Sequence, residues 1–226
     1  MPDYTENKEI IARRIACFFT TGDVVNLGIG LPTLVGNYIP ENVTIILQSE
    51  NGLIGLGPAP AAGHEDKDLT NAGGKPVTIL PGGCFFDSAT SFGIIRGGHV
   101  DYTVLGVLEV DQEGNLANYK IPGKLIPGMG GAMDLVAGAK HVIAATTHFE
   151  KSGASKLRRR CTLPLTASHE VDYVVTDVGF FAVSGHSFAL KEAFVPYTPE
   201  WIIKHTDADI ELALDFRIWN SPEACR

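Results

Sequence analysis

Over residues 6–19, apolar side chains recur at helical spacing. Ile10, Ile11, Ile15, Phe18 and Phe19 fall near one face, with Glu9, Arg13 and Arg14 on another. Gly22-Asp23 ends that predicted helix. Short apolar runs follow at 24–27, 44–48, 77–80, 102–108, 141–145 and 171–176. They are rich in β-branched residues and separated by glycine turns or helical spacers, the pattern of strands buried on both faces. Proline suits the first turn of a helix, so a second helix is expected from Pro32. Strands of this kind alternating with helices predict a three-layer α/β/α fold built on an open, mostly parallel sheet. Beyond residue 177 the pattern weakens and reads as the end of the same domain, with a loose tail from about residue 220.

A length of 226 residues suits one domain, 1–226. At 45% hydrophobic and 19% charged residues there is material for a sizeable core and too little charge for disorder. The net charge of −8 argues against nonspecific nucleic-acid binding, because phosphates would be repelled. No apolar stretch is long enough for a transmembrane helix, and the polar, acidic first residues do not read as a secretory signal. A cytoplasmic protein is expected. The four cysteines lie far apart with no metal-ligand or disulfide spacing, so free thiols and no metal site are expected. Glycine is abundant, 25 residues, and gathers in short clusters, as backbone passing close to a ligand requires.

Ligands of open parallel sheets bind outside the carboxyl ends of the strands. Two strand ends carry candidate turns: Gly28-Ile29-Gly30-Leu31-Pro32-Thr33 and Ser49-Glu50-Asn51-Gly52. In one reading they form a dinucleotide site, with Gly28 and Gly30 opening a G-x-G-x-x-G turn and Glu50 holding a ribose. Thr33 stands where the third glycine belongs, and Pro32 removes a donor. In another reading Glu50 is a nucleophile whose carboxylate attacks an activated carbonyl, with Asn51 orienting it and Gly52 allowing a sharp turn. A plain surface turn is the third, since Asn-Gly is a strong turn signal. The cluster from Pro122 to Asp134 contains Gly128, Gly130 and Gly131, whose unshielded backbone N–H groups can hold an oxyanion or phosphate. Arg96 and His99 could lie near the same cleft. The basic run Lys156–Arg160 is either a solvated loop or a phosphate or partner contact.

These residues resemble a family. The SENG tetrad (Ser49 to Gly52), NLGIGLPT (Asn26 to Thr33) and PGMGGAMDL (Pro127 to Leu135) look like the β chain of class I, 3-oxoacid-type CoA-transferases. FFDSATSFGIIRGGHVD (Phe85 to Asp101), GNLANY (Gly114 to Tyr119) and CTLPLT (Cys161 to Thr166) match in the same order, over about residues 8 to 177. The likeness is nearest to acetate or butyrate–acetoacetate CoA-transferases.

The resemblance implies the CoA-transferase fold, which is sugar-phosphate-isomerase-like, and a ping-pong exchange on Glu50. Acyl-CoA gives an acyl-glutamyl anhydride, CoA thiolate then gives a glutamyl-CoA thioester, and a second carboxylic acid reverses both steps. It places an oxyanion-binding amide at Gly131 with Gly130 beside it, and Gly28 and Gly30 in the same cleft. Coenzyme A is a substrate and no other cofactor is implied. The resemblance also implies a partner, the CoA-transferase α subunit, in a heterotetramer or similar assembly. Rival expectations are a 3-oxoadipate CoA-transferase β subunit, a sugar-phosphate isomerase or nucleotide-binding protein on a related scaffold, and a noncatalytic binding subunit. A dicarboxylate would need a cation, from Arg96 or from the partner.

Overall fold

The structure, a computed structural model, describes residues 4–123 and 128–220. It begins with helix α1 (Tyr4–Ala16), which buries Ile11, Ala12, Ile15 and Ala16. Strand β1 (Val24–Leu27) leads to a 3-10 helix (Pro32–Tyr38), where an α-helix is expected from Pro32. Next come β2 (Ile46–Ser49), β3 (Leu53–Leu56), β4 (Ile79–Phe85), α2 (Ser88–Arg96) and β5 (Tyr102–Gly106). Then follow β6 (Glu109–Asp111), β7 (Leu116–Ala117), α3 (Ala132–Gly138), β8 (His141–Ala145), β9 (Leu157–Arg158) and β10 (Tyr173–Val175). The chain continues through β11 (Gly179–Val183), β12 (Phe188–Phe194), α4 (Pro199–His205) and β13 (Ile210–Trp219).

Ten strands form one sheet in the order β13-β12-β11-β10-β8-β5-β1-β2-β3-β4. Its middle, β10-β8-β5-β1-β2, is parallel throughout. Antiparallel pairs flank it, β2-β3-β4 on one side and β10-β11-β12 on the other. A small second sheet, β7-β6-β9, packs Val110, Leu116 and Leu157 into the same core as the main sheet.

Successive residues of the central strands point to opposite faces. Val142, Ala144 and Val174 therefore join one core with Ile95 of α2, Leu135 of α3 and Ile202 of α4. Val104, Ile143 and Val175 join another with Ile11 and Ile15 of α1 and Val35 of the 3-10 helix. Two cores on two faces of one sheet make the three layers. The weakly patterned region after 177 supplies β11 to β13 and α4, and Glu192 of β12 pairs with the buried Arg14 of α1.

The expected tail lies, from residue 221, outside the described residues. Cys84 and Cys161 are free thiols, as expected, but Cys17 is disulfide-bonded. Spacing alone gave no sign of that bond. No helix among the described residues is long and apolar enough to cross a membrane.

Candidate active site

β2 ends at Ser49, and the chain reverses at once. The Gly52 N–H donates to the Ser49 carbonyl at 3.1 Å, closing a four-residue turn with Glu50 at its first corner. Gly52 has φ +106°, and a Cβ there would overlap the Phe86 carbonyl oxygen. Only glycine fits. Glu50 is thereby held half-buried at the carboxyl end of a parallel strand.

The floor beneath that turn is a chain of buried amides. Asn26 of β1 donates through Nδ2 to Oε1 of Gln48 at 2.7 Å and to the Gln48 carbonyl at 3.2 Å. Gln48 Nε2 donates in turn to Oγ of Ser91, on α2, at 3.1 Å. All three residues are buried and satisfy one another, so the floor is polar yet closed.

Gly131 caps the N-terminus of α3, and its N–H donates to Oε1 of Glu50 at 3.2 Å. A Cβ on Gly131 would overlap Oε2 of Glu50 and lie 3.1 Å from Cζ of Phe92. At Gly130, φ +55°, a Cβ would stand 3.3 Å from Oε1. The loop holds its place because α3 packs tightly on α2: a Cβ at Gly138 would overlap the Ile95 carbonyl oxygen. Arg96 of α2 also pairs with Asp134 of α3 at 2.7 Å. A carboxylate on a sharp turn, facing a backbone N–H across a cleft, can attack a carbonyl and have charge on its own oxygen stabilised.

Residues 8–198 match the family described as Coenzyme A transferase. The chain belongs to that family. It is 56% identical over 210 residues to the beta chain of the acetate CoA-transferase of Haemophilus influenzae, covering 93% of this chain and 94% of that one. It is 47% identical over 207 residues to one of the named subunits of the succinyl-CoA:3-ketoacid coenzyme A transferase of Helicobacter pylori strain 26695, covering 92% and 100%. Among solved structures, an apo acyl-CoA transferase of Escherichia coli O157:H7 superposes with a TM-score of 0.76 at 22% identity. That match covers 95% of this chain and 43% of that longer one, and it shows the fold.

In this CoA-transferase chain the predicted residues divide. Glu50, Gly130 and Gly131 come together. Gly28 packs on the neighbouring strand, its N–H donating to the Val104 carbonyl at 2.9 Å, and a Cβ there would lie 2.9 Å from the same oxygen. Gly30, φ +88°, turns the chain into the 3-10 helix, with Thr33 Oγ1 donating to its carbonyl at 2.6 Å. The expectation that Asn51 orients the carboxylate is corrected: its Nδ2 donates to the Thr70 carbonyl at 2.8 Å and pins the β3–β4 connection to the turn. Arg96 likewise serves Asp134, and His99 lies beside Gly97.

The basic run is partly built into the fold, with Leu157–Arg158 in β9 and Arg159 and Arg160 exposed. Arg158 pairs with Glu109, Glu150 and Asp207, and Arg159 with Asp209, tying the small sheet to the C-terminal segment. Sequence reasoning gave no role to Asn26, Gln48, Ser91, Phe92 or Asp134. Polar amides inside apolar strands were the available signal for the first two. Residues 124–127 of the glycine-rich cluster lie outside the described residues. Among the described residues no group of three or more His, Cys, Asp or Glu side chains is placed to hold a metal ion.

Two other features stand out. A cavity of about 240 Å³ opens at the carboxyl ends of β5 and β8, lined in part by Leu31, Gly106, Asn118 and Thr146. Three large apolar side chains stand exposed on the elements that carry the site: Ile29 in the glycine turn, Phe85 at the end of β4, and Met133 in the first turn of α3.

Proposed function

We propose that this chain is the β subunit of an acetate/3-ketoacid-type CoA-transferase, moving CoA between a short 3-oxoacyl-CoA such as acetoacetyl-CoA and acetate or butyrate through Glu50. The observation that carries this reading is the Gly131 N–H at 3.2 Å from Oε1 of Glu50.

A Glu50 oxygen attacks the thioester carbonyl, the C–S bond breaks, and CoA leaves as thiolate, giving an acyl-glutamyl anhydride. The thiolate then attacks Cδ of Glu50. Negative charge grows on the Glu50 oxygen that faces Gly131, the C–O bond to the acyl group breaks, and the first carboxylate departs. The second acid attacks the resulting glutamyl-CoA thioester and retraces both steps. A donor aimed at such an oxyanion lowers the barrier by about 3–4 kcal/mol. Thioester and anhydride both hydrolyse, so the cleft must be dry during turnover.

Exposed Ile29, Phe85 and Met133 support a partner closing over this face. The relatives are themselves named as single subunits of larger enzymes, which supports an α chain as that partner. A heterotetramer in the cytoplasm, with CoA as substrate and no resident cofactor, completes the reading. A 3-oxoadipate enzyme is less favoured, because the matched relatives' names give acetate and 3-ketoacids.

The test is peptide mass spectrometry on the chain purified with its partner, treated with acetoacetyl-CoA and then borohydride. Reduction of a thioester to an alcohol at Glu50 is the expected result. An unmodified Glu50 in a complex that binds CoA would turn the reading to a noncatalytic role in binding.

A further inference from the structure

We propose that Phe92 decides which acids this chain accepts: its ring walls the space beside the attacking oxygen of Glu50 and rejects acyl groups branched at the carbon next to the carbonyl. This rests on the CoA-transferase reading above and adds which carboxylic acids it admits.

The two oxygens of Glu50 are not equivalent. Oε1 accepts the Gly131 N–H at 3.2 Å, while Oε2 accepts no hydrogen bond among the described residues. A hydrogen bond draws charge from the oxygen that accepts it. Oε2 is therefore the better nucleophile, and Oε1 is the oxygen on which charge collects in the later steps. It follows that the acyl group of the anhydride is carried on Oε2. That oxygen also stands close to Phe92. One point, where a Cβ on Gly131 would sit, overlaps Oε2 and lies 3.1 Å from Cζ of the ring. The rim of Phe92 is thus about one methyl group away from the atom that takes the acyl chain.

The ring is held in that position. Ser91, the residue before it, is fully buried, and its Oγ accepts from Gln48 Nε2 at 3.1 Å, which ties this turn of α2 to the floor beneath Glu50. The side chain of Phe92 packs against the core that contains Ile95 of α2 and Leu135 of α3. Between those two helices there is no slack, since a Cβ at Gly138 would overlap the Ile95 carbonyl oxygen. A wall fixed in this way selects by size, because close-packed neighbours do not yield to a larger acyl group.

In the anhydride the acyl carbonyl carbon is bonded to Oε2, and the next carbon is one bond further out. A straight acyl or 3-oxoacyl chain can pass the rim of the ring at van der Waals separation, about 3.5–4 Å. A methyl branch on that carbon needs a second direction of space, and Phe92 occupies it. Discrimination over a single methyl group by such contact amounts to about 10- to 200-fold in kcat/KM.

The experiment measures kcat/KM on the complete complex for butyrate and 2-methylpropanoate, two acids of the same formula, with acetoacetyl-CoA as the CoA donor. The unmodified complex is expected to favour butyrate at least about ten-fold. Phe92→Ala is expected to shift the ratio at least about ten-fold toward 2-methylpropanoate, with Phe92→Leu shifting it part of the way. An unchanged ratio in Phe92→Ala, with both acids slowed alike, makes the ring merely structural and overturns the proposal. Should Phe92→Ala not fold, an unchanged ratio in Phe92→Leu overturns it, and so does an unmodified complex that takes both acids equally well. A complex that forms no Glu50 adduct and exchanges no CoA with any acid defeats the parent reading instead.

Discussion

The amide of Gly131 reaches the carboxylate of Glu50 at 3.2 Å, while a single methyl group on Gly131 would overlap the other oxygen of the same carboxylate. The loop is as close as a backbone can come, and only a residue without a side chain permits it. Gly131→Ala therefore displaces Glu50 and presses only lightly on the rim of Phe92. We expect kcat for CoA exchange to fall about 10²- to 10³-fold, as for loss of one oxyanion donor, with a nearly unchanged melting temperature. Wild-type turnover by this variant would remove Gly131 from the mechanism.

Glu50 lies on a turn and contributes little to packing, so its replacement reads on chemistry alone. Glu50→Gln keeps the shape and removes the nucleophile; exchange is expected to drop by about 10⁴ or more. Glu50→Asp keeps the charge but withdraws it by about 1 Å or more from the Gly131 amide, for a loss of about 10² or more. Steady-state exchange assays on the complete complex check both, and full activity in either variant contradicts a covalent role.

Asn26 and Gln48 form a buried couple, so their substitutions will not add. Asn26→Leu leaves Gln48 Oε1 and a strand carbonyl short of a donor in a closed floor, a cost of about 1–3 kcal/mol in urea denaturation. Adding Gln48→Leu removes one of those orphans. The double variant is expected to be no less stable than Asn26→Leu, yet still impaired in kcat because the Glu50 turn has lost its support. Strict additivity in the cycle would mean that the two amides act separately.

Arg96 offers a test of negative kind. Its pair with Asp134 is well exposed on the arginine side, so Arg96→Met is expected to cost less than about 1 kcal/mol. Activity will fall a few-fold for every acid alike, through a looser seat for α3. A KM increase confined to acids with a second carboxylate would show that Arg96 leaves Asp134 to bind substrate.

His148 gives the chain a pH dependence. Burial, with some help from His205, pushes its imidazole down to about 3, and its ring nitrogens meet only the hydroxyls of Thr176 and Thr206. The unfolded chain takes up this proton near pH 6.5, while the folded one resists until about 3. Stability from this group is thus full above pH 6.5 and is lost as pH falls, by up to about 1.4 kcal/mol per pH unit. His148→Asn is expected to flatten the urea midpoint between about pH 6 and 4 relative to wild type. Parallel curves for the two proteins would exclude the linkage.

The parallel middle of the sheet was legible because β1, β5, β8 and β10 are short apolar runs, buried on both faces and cut off by glycine or polar turns. The flanks were not. β4 carries Pro81-Gly82-Gly83 and lies half in solvent, so it lacks the apolar signature along most of its length. β11 to β13 contain register shifts at Phe180/Phe181 and Leu190/Glu192 that break any simple alternation. The 3-10 helix begins at the proline expected to start a helix, but Gly36 and Asn37 leave it little α propensity. At the site, Glu50 and Gly131 were legible as motifs. The Asn26–Gln48–Ser91 chain was not, because its members meet only once two strands and a helix are assembled. Arg96 misled because an arginine before two glycines reads the same whether it faces a substrate or Asp134.

The parallel middle of the sheet gives the molecule two unlike ends. Asp101, Lys140, His141 and Asp172 gather at the amino ends of β5, β8 and β10, where Asp101 bonds the Val24 N–H and Lys140, and Asp172 bonds the Val142 N–H. Their work finishes when the chain has folded. A saturation mutagenesis map read by both abundance and growth would therefore split along the strand axis: variants at this pole would change how much protein accumulates, and variants at the Glu50 pole how much each molecule achieves.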